Sequence, residues 1–377
     1  MNTAVVIVGA GPAGIATSAC LNLHSIPNVV LEKEDCLASL WKKNSYNCLK
    51  LHLGKEFCEL PHMSFPRHAP NFIPKADFIK YLDDYAEKFC VVPKYQRCVK
   101  SAWYDKESMT WRIFAYNTSN GEIEEYSSRF LVVATGENSE GYIPQISGLD
   151  RFQGEVIHSF FYKSGERYNA KRVLVVGSGN SGMEIAFDLA IHGAKSSIVV
   201  RSPFHVMTKE QIFLGMKLVK YFPINFVDSL LLALAKFTFG DLSTYGIVRP
   251  KDGPLLTKAR TARSSVIDVG TVDKIKAGEI KVFGPISSIE EDKVKFMDGK
   301  SESFDAIIFA TGYRSTANKW LKDENETLDL EGLPKKAFPH QWKGSDGLYC
   351  AGFAKRGLAG TSMDAINIAN DIKKVFE

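Results

Sequence analysis

One local pattern occurs twice and constrains the fold more than any other feature. Val5 to Val8 is an apolar run followed by Gly9-Ala10-Gly11-Pro12-Ala13-Gly14 and a helical stretch toward Leu23. Val173 to Val176 leads in the same way into Gly177-Ser178-Gly179-Asn180-Ser181-Gly182 and a helical stretch toward His192. G-x-G-x-x-G between a strand and a helix is a dinucleotide-binding fingerprint. The first glycine permits the tight turn, the second lets the pyrophosphate approach the backbone, and the third lets helix and strand touch. The helix start offers free N–H groups and a partial positive charge to phosphate. The expected fold is therefore α/β, with two Rossmann-like dinucleotide-binding domains.

The residues after each motif separate the two nucleotides. The strand Asn28 to Leu31 ends in Glu32, and a carboxylate at this distance hydrogen-bonds a ribose with free hydroxyls, as in FAD or NAD. The strand Ser197 to Val200 ends in Arg201, whose guanidinium suits the 2′-phosphate of NADP. FAD on the first motif and NADPH on the second is the simplest assignment. Two further strands, Phe130 to Val133 and Ala306 to Phe309, run into Ala134-Thr135-Gly136 and Ala310-Thr311-Gly312. Small residues there let the chain leave the sheet beside a nucleotide, which adds Thr135, Gly136, Thr311 and Gly312 to the candidate sites. The second of these strands lies beyond the NADPH motif. The FAD domain is thus read as discontinuous, residues 1–165 and 290–377, with the NADPH domain, 166–289, inserted in it.

Other classes are set aside by composition. A net charge of +4 over 377 residues makes no nucleic-acid groove. The seven cysteines are odd in number and contain no C-x-x-C, which argues against a disulfide framework and against a flavin disulfide reductase. No His/Cys spacing suggests a metal site. The chain enters its first strand at once, without the basic start of a secretory signal. No apolar run reaches the roughly 18–20 residues of a membrane span. The nearest, Phe226 to Phe239, is interrupted by Asp228 and Lys236. It reads as a buried amphipathic helix or a lid, with peripheral membrane contact as the lesser alternative.

Phe152-Gln153-Gly154-Glu155-Val156-Ile157-His158-Ser159-Phe160-Phe161-Tyr162 matches F-x-G-x-x-x-H-x-x-x-Y. With it the chain resembles the class B flavin-containing monooxygenases; a Baeyer–Villiger enzyme would carry Trp in place of Tyr162. Further stretches are similar to the YUCCA flavin monooxygenases of plants: Cys36 to Trp41, Leu49 to Leu53, Arg249 to Pro254, Phe309 to Tyr313, and Gly352 through Ala365. Asn47, Cys48 and Gly54 depart from that pattern. The resemblance implies oxidation of indole-3-pyruvate by O2 and NADPH to indole-3-acetate, the auxin, through a flavin C4a-(hydro)peroxide. It implies a cytoplasmic protein, with peripheral association with the endoplasmic reticulum as an alternative. Two further candidates concern the flavin: Trp41, either near the isoalloxazine or as a core aromatic, and the helix start at Ser362 and Met363, either toward the flavin's pyrimidine end as a dipole match or as an ordinary capped helix. The resemblance gives His158 and Tyr162 a part in the linker between the domains or in catalysis. Lys50 or Arg67 is left to meet the substrate carboxylate. Two readings compete: N- or S-oxygenation of soft nucleophiles, which differs only in the substrate pocket, and an FAD-binding redox sensor without turnover. Oligomeric state is not encoded in any of these features.

Overall fold

Val5, Val6 and Ile7 have no exposed surface, as expected of a strand covered on both faces. In the computed structural model, which describes residues 1–377, they form the middle of β1 (Asn2–Val8). α1 (Pro12–Leu23) and β2 (Asn28–Leu31) complete a β-α-β turn, followed by α2 (Lys75–Lys88). β3 (Arg97–Asp105), β4 (Thr110–Asn117) and β5 (Ile123–Val133) then form an antiparallel meander. The second half of β5 lies parallel to β1, Val133 beside Val8.

The next strands are β6 (Glu155–His158) and β7 (Arg172–Val176), then α3 (Asn180–Ile191) and β8 (Lys195–Val199). Three helices follow: α4 (Lys209–Leu218), α5 (Ile224–Phe239) and α6 (Pro254–Thr261). Then come β9 (Ile280–Phe283) and a small meander of β10 (Ile286–Glu290), β11 (Lys293–Phe296) and β12 (Ser301–Ser303). β13 (Ala306–Phe309), β14 (Leu321–Lys322), β15 (Leu348–Cys350) and α7 (Gly357–Lys373) end the chain.

The chain divides into two units. The first holds Met1–Asn44, Gly54–Glu140 and Tyr313–Glu377. Its sheet runs β14-β3-β4-β5-β1-β2, with β15 against the end of β5, and α7 packs along α1. The second unit holds Gly141–Gly312 and the short segment Ser45–Leu53. Its sheet, β9-β8-β7-β13-β6, is parallel throughout.

The edges of the second unit lie further out than the 166 and 289 read from the sequence. β13 is hydrogen-bonded to β7 on one side and β6 on the other. A strand paired on both sides belongs to that sheet, so the second Ala-Thr-Gly strand is an interior strand of the second unit and not part of the first. The segment Phe152 to Tyr162 lies wholly in the second unit as well.

Asp228, which interrupts the apolar run of α5, has a structural role. Its buried carboxylate accepts from the N–H groups of Leu255 (2.8 Å) and Leu256 (3.0 Å), capping the first turn of α6 from outside. Val227, Leu231 and Ala235 of α5 are buried, and Gly215 of α4 gives Leu231 room. The opposite side of α5 is not covered, so the expectation of a buried helix holds for one face only. No helix is long and apolar enough to cross a membrane.

Glu124 gathers polar groups of all three strands of the outer meander of the first unit. Glu124 accepts from the guanidinium of Arg97 (2.9 Å), from Asn117 (2.9 Å) and from the Tyr126 hydroxyl. These donors, Arg97 foremost, hold its carboxyl down at about 2. A depressed folded value means stability that is present above the ordinary glutamate value and is lost as pH falls toward about 2. Glu124→Gln should therefore cost about 1–2 kcal/mol near neutrality, after allowance for solvent screening. Thermal melts should show the difference from the parent shrinking as pH falls from about 4.5 to about 2; a constant difference across that range would contradict this account.

Candidate nucleotide sites

The three glycines of the first loop do different work. Gly9 has φ +107°, and a Cβ there would sit 2.5 Å from the Ala134 carbonyl oxygen. A Cβ on Gly14 would overlap the Gly9 carbonyl oxygen. A Cβ on Gly11 would meet nothing within 4 Å. Gly9 and Gly14 are thus glycine for packing, whereas Gly11 faces open space at the start of α1. Pro12 occupies the first helical turn and no side chain caps it. Ala13 is covered closely by Gly352. The second loop repeats the arrangement. Gly177 has φ +116° and presses against the Ala310 carbonyl, Gly182 against that of Gly177, and Gly179 faces open space.

Glu32 lies beside the first loop and is only 5% exposed. Its Oε2 accepts from the Ala10 N–H at 2.7 Å and its Oε1 from the Glu34 N–H at 3.0 Å. Burial pushes its pKa up, against these two donors. Thr135, at the end of β5, has a buried hydroxyl with no partner in the protein, and Gly136 turns the chain away with φ +82°. A buried unpaired hydroxyl is costly and calls for a ligand or water. Gln341 Oε1 is a second such atom. Gln341 donates to Asp364 (2.6 Å), which also accepts from the Gly352 N–H (3.0 Å); burial raises Asp364 to about 6. An open cradle at Gly11, an uncapped helix start, a ribose-type carboxylate and orphaned polar atoms fit a dinucleotide in the first unit.

In the second unit, Arg201 is exposed just past β8, and no protein group engages its guanidinium. Asn180 Oδ1 accepts from the Ile267 N–H at 2.8 Å, which fixes the loop. Ser178 and Ser181 are partly exposed beside it, and Ser181 reaches the Tyr46 hydroxyl. The Thr311 hydroxyl donates to the Tyr142 carbonyl, and Gly312 has φ +88°.

His158 and Tyr162 both lie in the second unit, and His158 packs against Gly141 and Gly312, the residues at which the chain passes from one unit to the other. His158 Nε2 lies 3.0 Å from the Gly312 carbonyl and Nδ1 3.1 Å from the Phe160 N–H. These partners require the tautomer protonated at Nε2, and burial lowers the pKa so that the ring stays neutral. Tyr162 is fully buried and donates to Asp188 Oδ2 at 2.6 Å; the Gly165 N–H donates to the same oxygen at 2.7 Å. One turn earlier on α3, Glu184 accepts from the Tyr46 hydroxyl (2.6 Å) and meets His52 Nε2 (2.5 Å). Glu184 and Asp188 escaped the sequence reading. The available signal was two acids four residues apart on an otherwise apolar helix.

The remaining candidates divide between the two units. Trp41 lies edge-on to Phe78 (4.6 Å) in the first unit. Ser362 donates to the Glu59 carbonyl (2.7 Å), and Met363 is exposed beside it in the first turns of α7, whose start no side chain caps. Arg67 is exposed in the first unit, whereas Lys50 is exposed on the Ser45–Leu53 segment of the second.

The two classes of glycine give opposite expectations. Gly11→Val should fold normally, because its backbone is extended and the space is open, but should lose FAD. Gly14→Ala should lose about 1–3 kcal/mol or more of stability through overpacking. Circular dichroism melts and flavin absorbance of the purified variants separate the two effects. Full flavin occupancy in folded Gly11→Val would remove the loop from the site.

The description "Flavin-binding monooxygenase-like" belongs to a family model that matches residues 2–365. A probable indole-3-pyruvate monooxygenase of Arabidopsis thaliana, YUCCA10, is 54% identical, the alignment covering 100% of this chain and 98% of that protein. The indole-3-pyruvate monooxygenase YUCCA1 of Oryza sativa subsp. japonica is 46% identical over 97% of this chain and 90% of its own length. Among solved structures, a flavin-containing monooxygenase from Stenotrophomonas maltophilia superposes with a TM-score of 0.75 at 18% identity, covering 100% of this chain and 99% of its own. A steroid monooxygenase bound to NADP gives 0.76 at 18% identity, with 100% and 85% covered. With both glycine loops and the segment Phe152 to Tyr162 inside the matched span, the chain belongs to the flavin-binding monooxygenase-like family.

Proposed function

We propose that the protein is an FAD- and NADPH-dependent monooxygenase that converts indole-3-pyruvate, O2, NADPH and a proton to indole-3-acetate, CO2, water and NADP+. The observation that carries this reading is the pair of open glycine cradles, one beside an acid and one beside a base. They lie in a chain 54% identical from end to end to a probable indole-3-pyruvate monooxygenase. The oxidative decarboxylation supplies auxin.

FAD, when bound, takes hydride from NADPH and activates O2. The protein's own residues bind and orient. In the first unit the α1 start and the Gly11 backbone receive the FAD pyrophosphate, and Glu32 takes the ribose hydroxyls. The orphaned Thr135 hydroxyl finds its partner on the same ligand. In the second unit Gly179 and the α3 start receive the NADPH pyrophosphate, and Arg201 takes the 2′-phosphate as a charge-assisted pair. His158 holds the Gly312 carbonyl at the end of β13, which fixes the rim of that site. The seven cysteines are all free, which supports a reducing, cytoplasmic setting.

Product analysis decides the reading. Purified enzyme given indole-3-pyruvate, NADPH and O2 should yield indole-3-acetate and CO2 in step with NADPH consumed. An N- or S-oxide from soft nucleophiles, with no decarboxylated acid, would replace it with the other oxygenation chemistry. Arg201→Ala should lose about 1–3 kcal/mol of NADPH binding. The NADPH KM should then rise by at least about five-fold, with little change for NADH. Equal losses with both coenzymes would make Arg201 structural.

A further inference from the structure

The outer face of α5 is apolar and uncovered. Phe226, Leu230, Ala233 and Phe237 recur at the spacing that places them on one side of a helix. Phe226 is 57% exposed and Phe237 92%. The stripe continues into the turn between α4 and α5, where Tyr221 is 80% exposed and the Phe222 ring lies 5.6 Å from that of Phe226. A soluble helix normally hides one face and shows polar residues on the other; α5 hides Val227, Leu231 and Ala235 and shows phenylalanine.

The charges around the stripe have one sign. Between Gln211 and Gly240 the exposed charged residues are Lys217, Lys220 and Lys236; the only acid, Asp228, is buried as the cap of α6. Between residues 209 and 263 there are nine Lys and Arg against four Asp and Glu. With a whole-chain charge of +4, the basic excess of the protein is concentrated in this segment. Aromatic side chains at an exposed turn, flanked by lysines, form the pattern of a surface that inserts shallowly among anionic headgroups.

We propose that the α4–α5 turn and the outer face of α5 dock on an anionic lipid surface. Phe222, Phe226 and Phe237 enter the headgroup layer while Lys217, Lys220 and Lys236 meet the lipid phosphates and carboxylates. A second copy of the chain is a poorer occupant. A two-fold contact sets the same patch against itself and would bring one lysine-flanked surface against another of the same sign. Docking does not depend on the substrate assignment, because binding is read without turnover.

The flavin-loaded protein is sedimented with vesicles of phosphatidylcholine, alone or with about 30% phosphatidylserine. It should partition onto the anionic vesicles about ten-fold or more better than onto the neutral ones, and high salt should abolish the preference. Phe226→Ser/Phe237→Ser and, separately, Lys217→Glu/Lys220→Glu should each reduce partitioning by about ten-fold, with flavin content and melting temperature unchanged. Failure of the parent protein to bind anionic vesicles would overturn the proposal, as would undiminished binding by the phenylalanine variant. A dimer in sedimentation velocity that this variant dissolves would assign the face to a second copy and equally overturn it.

Discussion

A carbonyl oxygen at the end of a neighbouring strand touches the first glycine of each loop, and both sites are arranged around that contact. Ala134 O lies against Gly9, and Ala310 O against Gly177. The strands concerned are parallel and in register, Val8 beside Val133 and Val176 beside Phe309. Their ends therefore meet at one level, and the chain must leave the sheet there without the width of a side chain. Positive φ at Gly9 and Gly177 allows the turn, and Gly14 and Gly182 let the helix close over it. The helix starts are thereby set just beyond the strand ends with unpaired N–H groups, and Gly11 and Gly179 are left as the surfaces a ligand can approach.

In the second unit the same helix carries a further constraint. Glu184 and Asp188 are buried acids one turn apart on α3, and a buried charge is tolerated only when donors surround it. Tyr46 and His52 supply them for Glu184, and Tyr162 with the Gly165 N–H for Asp188. The helix that follows the second nucleotide loop is thus anchored to two segments distant in sequence. His158 acts similarly, tying the end of β6 to Gly312. The histidine and tyrosine of F-x-G-x-x-x-H-x-x-x-Y thus hold backbone and helix in place within the second unit.

What was legible in the sequence was local. Each glycine loop, its strand and its helix occupy adjacent residues, so their pattern gives element type and candidate site together, and Glu32 and Arg201 follow at the ends of the next strands. What was not legible depends on contacts between distant residues. The placement of β13 between β6 and β7 follows from hydrogen bonds across more than 130 residues, such as Arg172 N to Asp305. No local signal shows that Ser45–Leu53 joins the second unit through Glu184, or that Gln341 and Asp364 meet beside Gly352. The run Phe226 to Phe239 shows the same limit. Its periodicity reveals a helix, but which face is covered depends on α4 and α6.

The two candidate ribose readers differ in a way that suits their proposed ligands. Glu32 is held in place by the protein itself: two backbone N–H groups grip its carboxylate, and one of them belongs to the glycine loop. A nucleotide meeting it finds an acceptor already oriented, so little ordering entropy is lost on binding. Arg201 is exposed and unengaged, so on the proposed assignment it would be immobilised anew at each encounter. That ordering cost opposes binding of the second nucleotide at every turn and favours its release. On the proposed assignment this is the division of labour the reaction needs, since FAD must stay through many turnovers whereas NADPH must arrive and NADP+ leave in each one.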